Sequence, residues 1–381
     1  IRHRRPADYV PITLQLADTR RCVPGANPVL LFYPNMSKRR IAVTALILAV
    51  LCLLVYLQVR TWKRFDWPTF WSQTRQVSLL YVAMGVALTY GAYVVRAVRW
   101  RIFLKPVKET TTARLIGPQF IGFTGLALLG RAGELIRPYL VARKEERPFS
   151  SQIAVLLVER IFDMTGVAIL FTIGTFVGDS WWPPAFQRRV ELSAALLFAL
   201  VFVGAVVAVV LRFSGEWLAQ LVRRIAQPVS GKLATALESK IATFGEGLKT
   251  INDFASFVQL LFLSIGMWLM IVMAYWSVTH SYGGPLAHLG IPSLNLLMVS
   301  SMAGSVIQLP GVGGGSQLAT ISMLSTGFGI EKELATSCGM LLWATTFMSV
   351  IPMGLLLAHR EQISLRAVAA EEEKQAAALA D

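Results

Sequence analysis

Apolar positions run along this chain in long blocks, with no strand-like alternation. No Asp, Glu, Lys or Arg interrupts residues 41–59, 76–95, 192–211 or 334–359, and the longest uncharged stretch is 254–330. About 20 apolar residues cross the hydrocarbon of a bilayer as a helix. Backbone in lipid must satisfy its own hydrogen bonds, so such blocks are helices. The short alternating segments of a β-barrel are not found. The pattern therefore predicts an all-α, polytopic membrane protein. Six full spans are expected at about 41–59, 77–98, 153–178, 190–211, 254–279 and 336–358.

Two further apolar stretches are broken by glycine and proline. Residues 115–130 are only 16 long, carry Gly117, Pro118, Gly122, Gly125 and Gly130, and have basic flanks. They read as a re-entrant hairpin entering from the cytoplasm, tolerated where protein or water covers the backbone. Residues 292–330 read as a second hairpin entering from outside, broken at Leu309-Pro310-Gly311-Val312-Gly313-Gly314-Gly315. Leu128-Leu129-Gly130-Arg131-Ala132-Gly133 can be laid over Leu309–Gly314 with Leu, Gly and Gly coinciding. Inverted repeats whose broken helices meet at mid-membrane are a common way to build a transport site. The plainer alternative is two glycine-rich packing segments.

Charge sets the orientation. Lys38, Arg39 and Arg40 precede the first apolar block, and residues 99–147 are strongly basic. Residues 212–253 form a basic segment with amphipathic periodicity at Trp217, Leu218, Leu221 and Ile225. The opposite side carries only Arg60, Lys63, Arg64, Arg75, Arg188, Arg189 and Lys332. The positive-inside rule then puts both termini in the cytoplasm, with Trp181 and Trp182 as an outer interfacial cap. The formal net charge of +14 fits contact with anionic lipid. Residues 1–35 are rich in arginine and proline and lack periodicity. They read as a disordered extension or an over-called start before Met36. Residues 361–381 read as a cytoplasmic tail.

Three groups could carry chemistry. In Gly130-Arg131-Ala132-Gly133-Glu134-Leu135-Ile136-Arg137-Pro138, the spacing of Arg131, Glu134 and Arg137 gives one helix face, with Glu134 pairing either Arg. Arg suits bidentate phosphate binding. The competing reading is a solvated basic loop. Glu159, Arg160 and Asp163 fall within the third span, and Glu159 and Asp163 are like charges four residues apart. Charged groups inside a span usually face a cavity; Arg131, Arg137 or Arg96 could balance them. The alternative is that the membrane begins near Phe162. Arg96, Arg99 and Trp100 end the second span, where Arg and Trp also make an ordinary interface anchor. Gly130, Gly133, Pro138, Pro310, Gly311, Gly313 and Gly314 are the candidate hinges and half-helix breaks. No Lys-Ser/Thr follows the late glycines, so they form no P-loop. No metal-ligand spacing, nucleotide fingerprint or catalytic motif is present. We expect no metal, no cofactor and no nucleic-acid partner.

These motifs resemble the lysylphosphatidylglycerol synthase transmembrane-region family, or flippase-like domain proteins. The likeness rests on Arg96-x-x-Arg99-Trp100, on Gly130-Arg131-x-Gly133-Glu134-x-x-Arg137-Pro138-Tyr139-Leu140, on Val158-Glu159-Arg160-x-x-Asp163 and on Leu309-Pro310-Gly311-x-Gly313-Gly314. It covers roughly residues 40–358. Family members often carry Glu soon after the late glycines, where this chain has Ser316-Gln317. The resemblance implies a lipid translocase of the bacterial inner membrane. Its cargo would be an anionic or modified phospholipid, or a lipid-linked headgroup on polyprenyl phosphate. With no cytosolic synthase domain after residue 360, synthesis would fall to a separate synthase or glycosyltransferase partner. An intramembrane enzyme or accessory subunit for lipid-linked sugars is the alternative.

Overall fold

A computed structural model describes residues 65–179, 182–227, 231, 235, 254–306, 308–309 and 313–361. The first expected span, the 1–35 extension, most of the 228–253 segment, Pro310, Gly311 and the tail after 361 lie outside the described residues. The described residues fall, but for Phe65, in one compact unit, Asp66–Asp381.

That unit is all-α. A short helix α1 (Trp67–Arg75) leads to α2 (Leu79–Leu104). Then come α3 (Thr112–Leu129), a tight 3-10 turn (Gly130–Leu135), α4 (Ile136–Glu145), α5 (Phe149–Val177) and α6 (Pro184–Ala226). The second half has α7 (Phe254–His280), the single turn α8 (Gly284–Ala287), α9 (Ile291–Gly304) and α10 (Gly315–Ser322). It closes with α11 (Lys332–Trp343) and α12 (Val350–Arg360), joined by a wide turn at Ala344–Met348. The only strand pairing among the described residues is a two-residue antiparallel ladder, Gln308–Leu309 with Gly313–Gly314.

Three described stretches are long and apolar enough to cross a membrane: Leu79–Leu104, Phe254–His280 and Lys332–Arg360. They match the second, fifth and sixth expected spans. Helix α5 is 29 residues, about 44 Å at 1.5 Å per residue, but carries charge in its middle. Large apolar side chains such as Leu79, Phe176, Leu196 and Phe262 face outward. In water such a belt would be a liability; in lipid it is solvated.

The first hairpin is longer than the sequence reading. Residues 112–129 form one continuous helix through Gly117 and Pro118, and the return arm is α4. Glycine lets the arms touch. A Cβ on Gly122 would lie 2.5 Å from the Cβ of Arg137 and 2.9 Å from its Cα. One on Gly133 would strike the Gly125 carbonyl. The helix stops at Gly130, where φ is +67° and a side chain would be strained. Pro138 is no break: it sits in the first turn of α4, where a missing N–H is harmless. The second hairpin pairs α9 with α10, and Gly304 clears room for Gly315 and Ala319. Its tip strand Gln308–Leu309 lies against the Gly130–Leu135 turn, so the two hairpin tips meet.

The halves also exchange roles in the packing. Helix α2 packs on α7. Arm α3 packs on α12, as arm α9 packs on α5. Helix α5 packs on α7, as the 344–348 turn packs on α2. This reciprocal pattern is what an internal repeat produces. Trp182 departs from its expected place: it is buried, and its indole N–H donates to Ser293 Oγ at 3.0 Å.

Candidate functional site

Two helical spacings meet at the base of the first hairpin. On α2, Arg96 and Arg99 are three residues apart and share a face; on α5, Glu159 and Asp163 are four apart and share a face. The two faces are pressed together, and α4 adds Arg137 from above. Arg99, Glu159 and Asp163 are fully buried; Arg137 is 2% exposed and Arg96 7%.

The contacts are close. Arg99 Nη1 reaches Asp163 Oδ1 at 2.6 Å, and its Nη2 donates to the Glu159 carbonyl at 3.3 Å. Arg96 Nη1 donates to Asp163 Oδ2 at 3.0 Å and to Glu159 Oε1 at 3.5 Å. Arg137 Nη1 donates to Glu159 Oε1 at 3.2 Å and to Gln119 Oε1 at 3.1 Å. Its Nη2 lies 2.6 Å from Glu159 Oε2, an ion contact whose angle is not that of a hydrogen bond. Aromatic rings complete the enclosure. The Arg137 guanidinium stacks 4.5 Å from the Trp100 ring and 5.1 Å from Phe123, and Arg96 lies 5.2 Å from Phe123 and 5.6 Å from Trp268. Trp100 is fixed by a 3.0 Å hydrogen bond to Gln152.

Two alternatives are decided here and one reading needs correction. Arg96 and Arg99 do not stand as a free helix-end anchor; they form the floor of a buried ion cluster. Glu159 and Asp163 are paired by Arg96 and Arg137, two of the partners expected for them, and by Arg99. Glu134 does not pair with Arg137; it sits 3.3 Å from Arg160, a half-buried pair at the cluster's edge. The reason is local: residues 130–135 wind as a 3-10 turn and the α-helix begins only at Ile136, so Glu134 and Arg137 do not share the expected α-helical face. The side chain of Arg131 and those of Leu309 and Gly313 lie outside the described residues.

The inner cluster is unbalanced. Among the described side chains, four guanidiniums (Arg96, Arg99, Arg137 and, from the edge, Arg160) meet Glu159 and Asp163, and Glu134 on Arg160 is the third carboxylate, which leaves one guanidinium in excess. Arg99 Nε and Gln119 Nε2 are buried without a partner. A buried charge needs a partner to offset lost hydration. Beside the cluster is a cleft of about 10 Å³ lined by Gly122, Phe123, Leu126, Glu134, Arg137 and Arg160. This cleft has room for one water at most.

Gln119, Phe123, Gln152, Met267 and Trp268 belong to the site and were not singled out from sequence. Gln119 and Gln152 carried a signal, as polar residues in apolar surroundings. Met267, whose sulfur lies 3.4 Å from Arg99 Nη1, carried none.

A family model for the lysylphosphatidylglycerol synthase TM region matches residues 40–354. The chain belongs to the lysylphosphatidylglycerol synthase TM region family. No curated protein and no solved structure matches it. The match takes in every element that builds the ion cluster, from α2 to α5. Membership and the apolar helices together put this member of the TM region family in a membrane, and they point to a lipid-related role.

Proposed function

We propose that this protein is a lipid translocase that moves an anionic or modified phospholipid, or a lipid-linked headgroup, across the bacterial inner membrane. The observation that carries the reading is the buried guanidinium surplus at the base of a glycine-hinged hairpin. A phosphate monoanion would balance that surplus, and Arg137 with Gln119 offers the donors nearest the cleft. Arg96 and Arg99 hold the carboxylates in place, and Glu159 keeps Arg137 oriented until a headgroup competes for it. Two hairpin tips in contact supply a path: separating them would open the cluster to one leaflet or the other. Arg131, one residue past the hinge, is assigned to the mouth. With this topology the cluster opens to the cytoplasm.

The test is leaflet exchange in liposomes. Headgroup-labelled phosphatidylglycerol, aminoacyl-phosphatidylglycerol and polyprenyl phosphate are each reconstituted with protein and quenched from outside. Exchange of at least one of them is expected, and Arg96→Gln/Arg137→Gln should abolish it in protein that still elutes as a single species. Exchange by none of the three, with protein correctly folded, contradicts the proposal.

A further inference from the structure

A larger groove lies some distance from the ion cluster. Helices α5 and α6 run antiparallel, and near their joined ends they leave a groove of about 620 Å³. Small-molecule sites usually fall between about 300 and 1,000 Å³. The groove is lined by Thr172, Phe176, Arg188, Leu192, Ala195 and Phe198, among others. On α5 it begins about 9 residues, or roughly 14 Å, beyond Asp163. It is a separate feature from the cluster, and it does not depend on the translocase reading.

Its polar groups are few and ordered. Arg188 stands exposed at the rim and has no ion pair among the described residues, while its neighbour Glu191 is engaged by Gln187 at 3.1 Å. One turn deeper on the opposite wall are two threonines. Thr175 donates its hydroxyl to the Phe171 carbonyl at 2.8 Å, as Thr165 does to Ile161. Thr172 does not: its hydroxyl is buried in the groove wall with no partner. Thr moves between two χ1 rotamers in a helix, so this hydroxyl can turn to the groove. Apart from Glu191, which Gln187 holds, the rest of the lining is apolar, with Leu192, Ala195 and Phe198.

We propose that this groove binds one glycerophospholipid, held phosphate-first. From rim to floor it presents a cation, a free hydroxyl donor and an apolar trough. A glycerophospholipid presents a phosphate, ester carbonyls and acyl chains in the same order. A fatty acid lacks the second acceptor and a sterol lacks the anion. The phosphate pairs with Arg188, an ester carbonyl accepts from Thr172, and one acyl chain lies along Phe176, Leu192 and Phe198.

The full chain is placed in nanodiscs that contain a trace of phosphatidylglycerol with a photoreactive acyl chain. Cross-linked peptides are then mapped by mass spectrometry. Labelling concentrated on Thr172–Phe176 and Leu192–Phe198, and displaced by unlabelled phosphatidylglycerol, is the expected result. Ala195→Trp fills the trough and should cut that labelling about tenfold, the equivalent of about 1.4 kcal/mol. Thr172→Val, nearly the same shape, should leave the fold intact and weaken retention of the lipid through purification. Labelling spread evenly over outward-facing α6 positions such as Leu196 and Leu200, or untouched by competition in the unmodified chain, would mean only bulk lipid is present and overturns the site. Loss of translocation would not produce either pattern.

Discussion

Arg99 is a guanidinium with no solvent exposure, held by Asp163 Oδ1, the Glu159 carbonyl and the Met267 sulfur. Breaking a buried pair by removing one partner leaves an uncompensated charge, at a cost of roughly 3–5 kcal/mol. Asp163→Asn strands Arg96 and Arg99 together, so it should lower the melting temperature in detergent sharply. Glu134→Gln removes a partner from the half-exposed Arg160, where ion pairs contribute about 0–1 kcal/mol, and should barely move it. Equal, small shifts for both variants would show that water reaches the cluster. At this scale the carboxylates were legible and the floor was not. Glu159 and Asp163 stand out because charge inside an apolar run demands a partner. Arg96 and Arg99 stand at the end of such a run, where sequence cannot say whether lipid headgroups or other helices surround them. That depends on α5 and α7, which come more than fifty residues later.

At the scale of elements, close contact between hairpin arms depends on missing side chains. Gly122→Val would drive a branched side chain into the Arg137 backbone, parting α3 from α4 and displacing the guanidinium from Glu159. It should reduce both folded yield and leaflet exchange. Gly266 in α7 is the control, because a Cβ there meets nothing within 4 Å. Gly266→Ala should be neutral, or stabilise by up to about 1 kcal/mol through helix propensity, as read by thermal denaturation. Unchanged exchange in Gly122→Val would remove the hairpin from the mechanism. The second hairpin is tied differently. Asp179, in the turn between α5 and α6, accepts from the Ser293 backbone N–H at 3.1 Å and from its hydroxyl, capping α9 from outside its own chain segment. Asp179→Asn should loosen α9 and raise hydrogen exchange in its first turn. The break at Gly130 was legible as a break. The length of the first hairpin was not, because Gly117 and Pro118 sit inside a helix that packing on α2 and α12 holds together.

At the largest scale the described residues form two halves with reciprocal packing whose hairpin tips touch, and the buried ion cluster lies in the first half. In the second half the corresponding contact region is neutral, with Tyr275 bonded to Ser301 and Thr346. On the function proposed above, such asymmetry would let a headgroup bind at the charged side and leave on the other, where no matching ion would hold it. The exchange of packing partners between halves rests on contacts that no local pattern encodes.

The most direct test compares two lipids and one residue in the same liposomes. Exchange of labelled phosphatidylglycerol is set against that of a zwitterionic lipid with identical chains, in wild-type protein, Arg137→Lys and Arg137→Gln. A guanidinium surplus that takes an anionic headgroup predicts faster exchange of phosphatidylglycerol, partial retention with Lys and loss with Gln. Equal rates for both lipids, unaffected by Arg137→Gln, would contradict it.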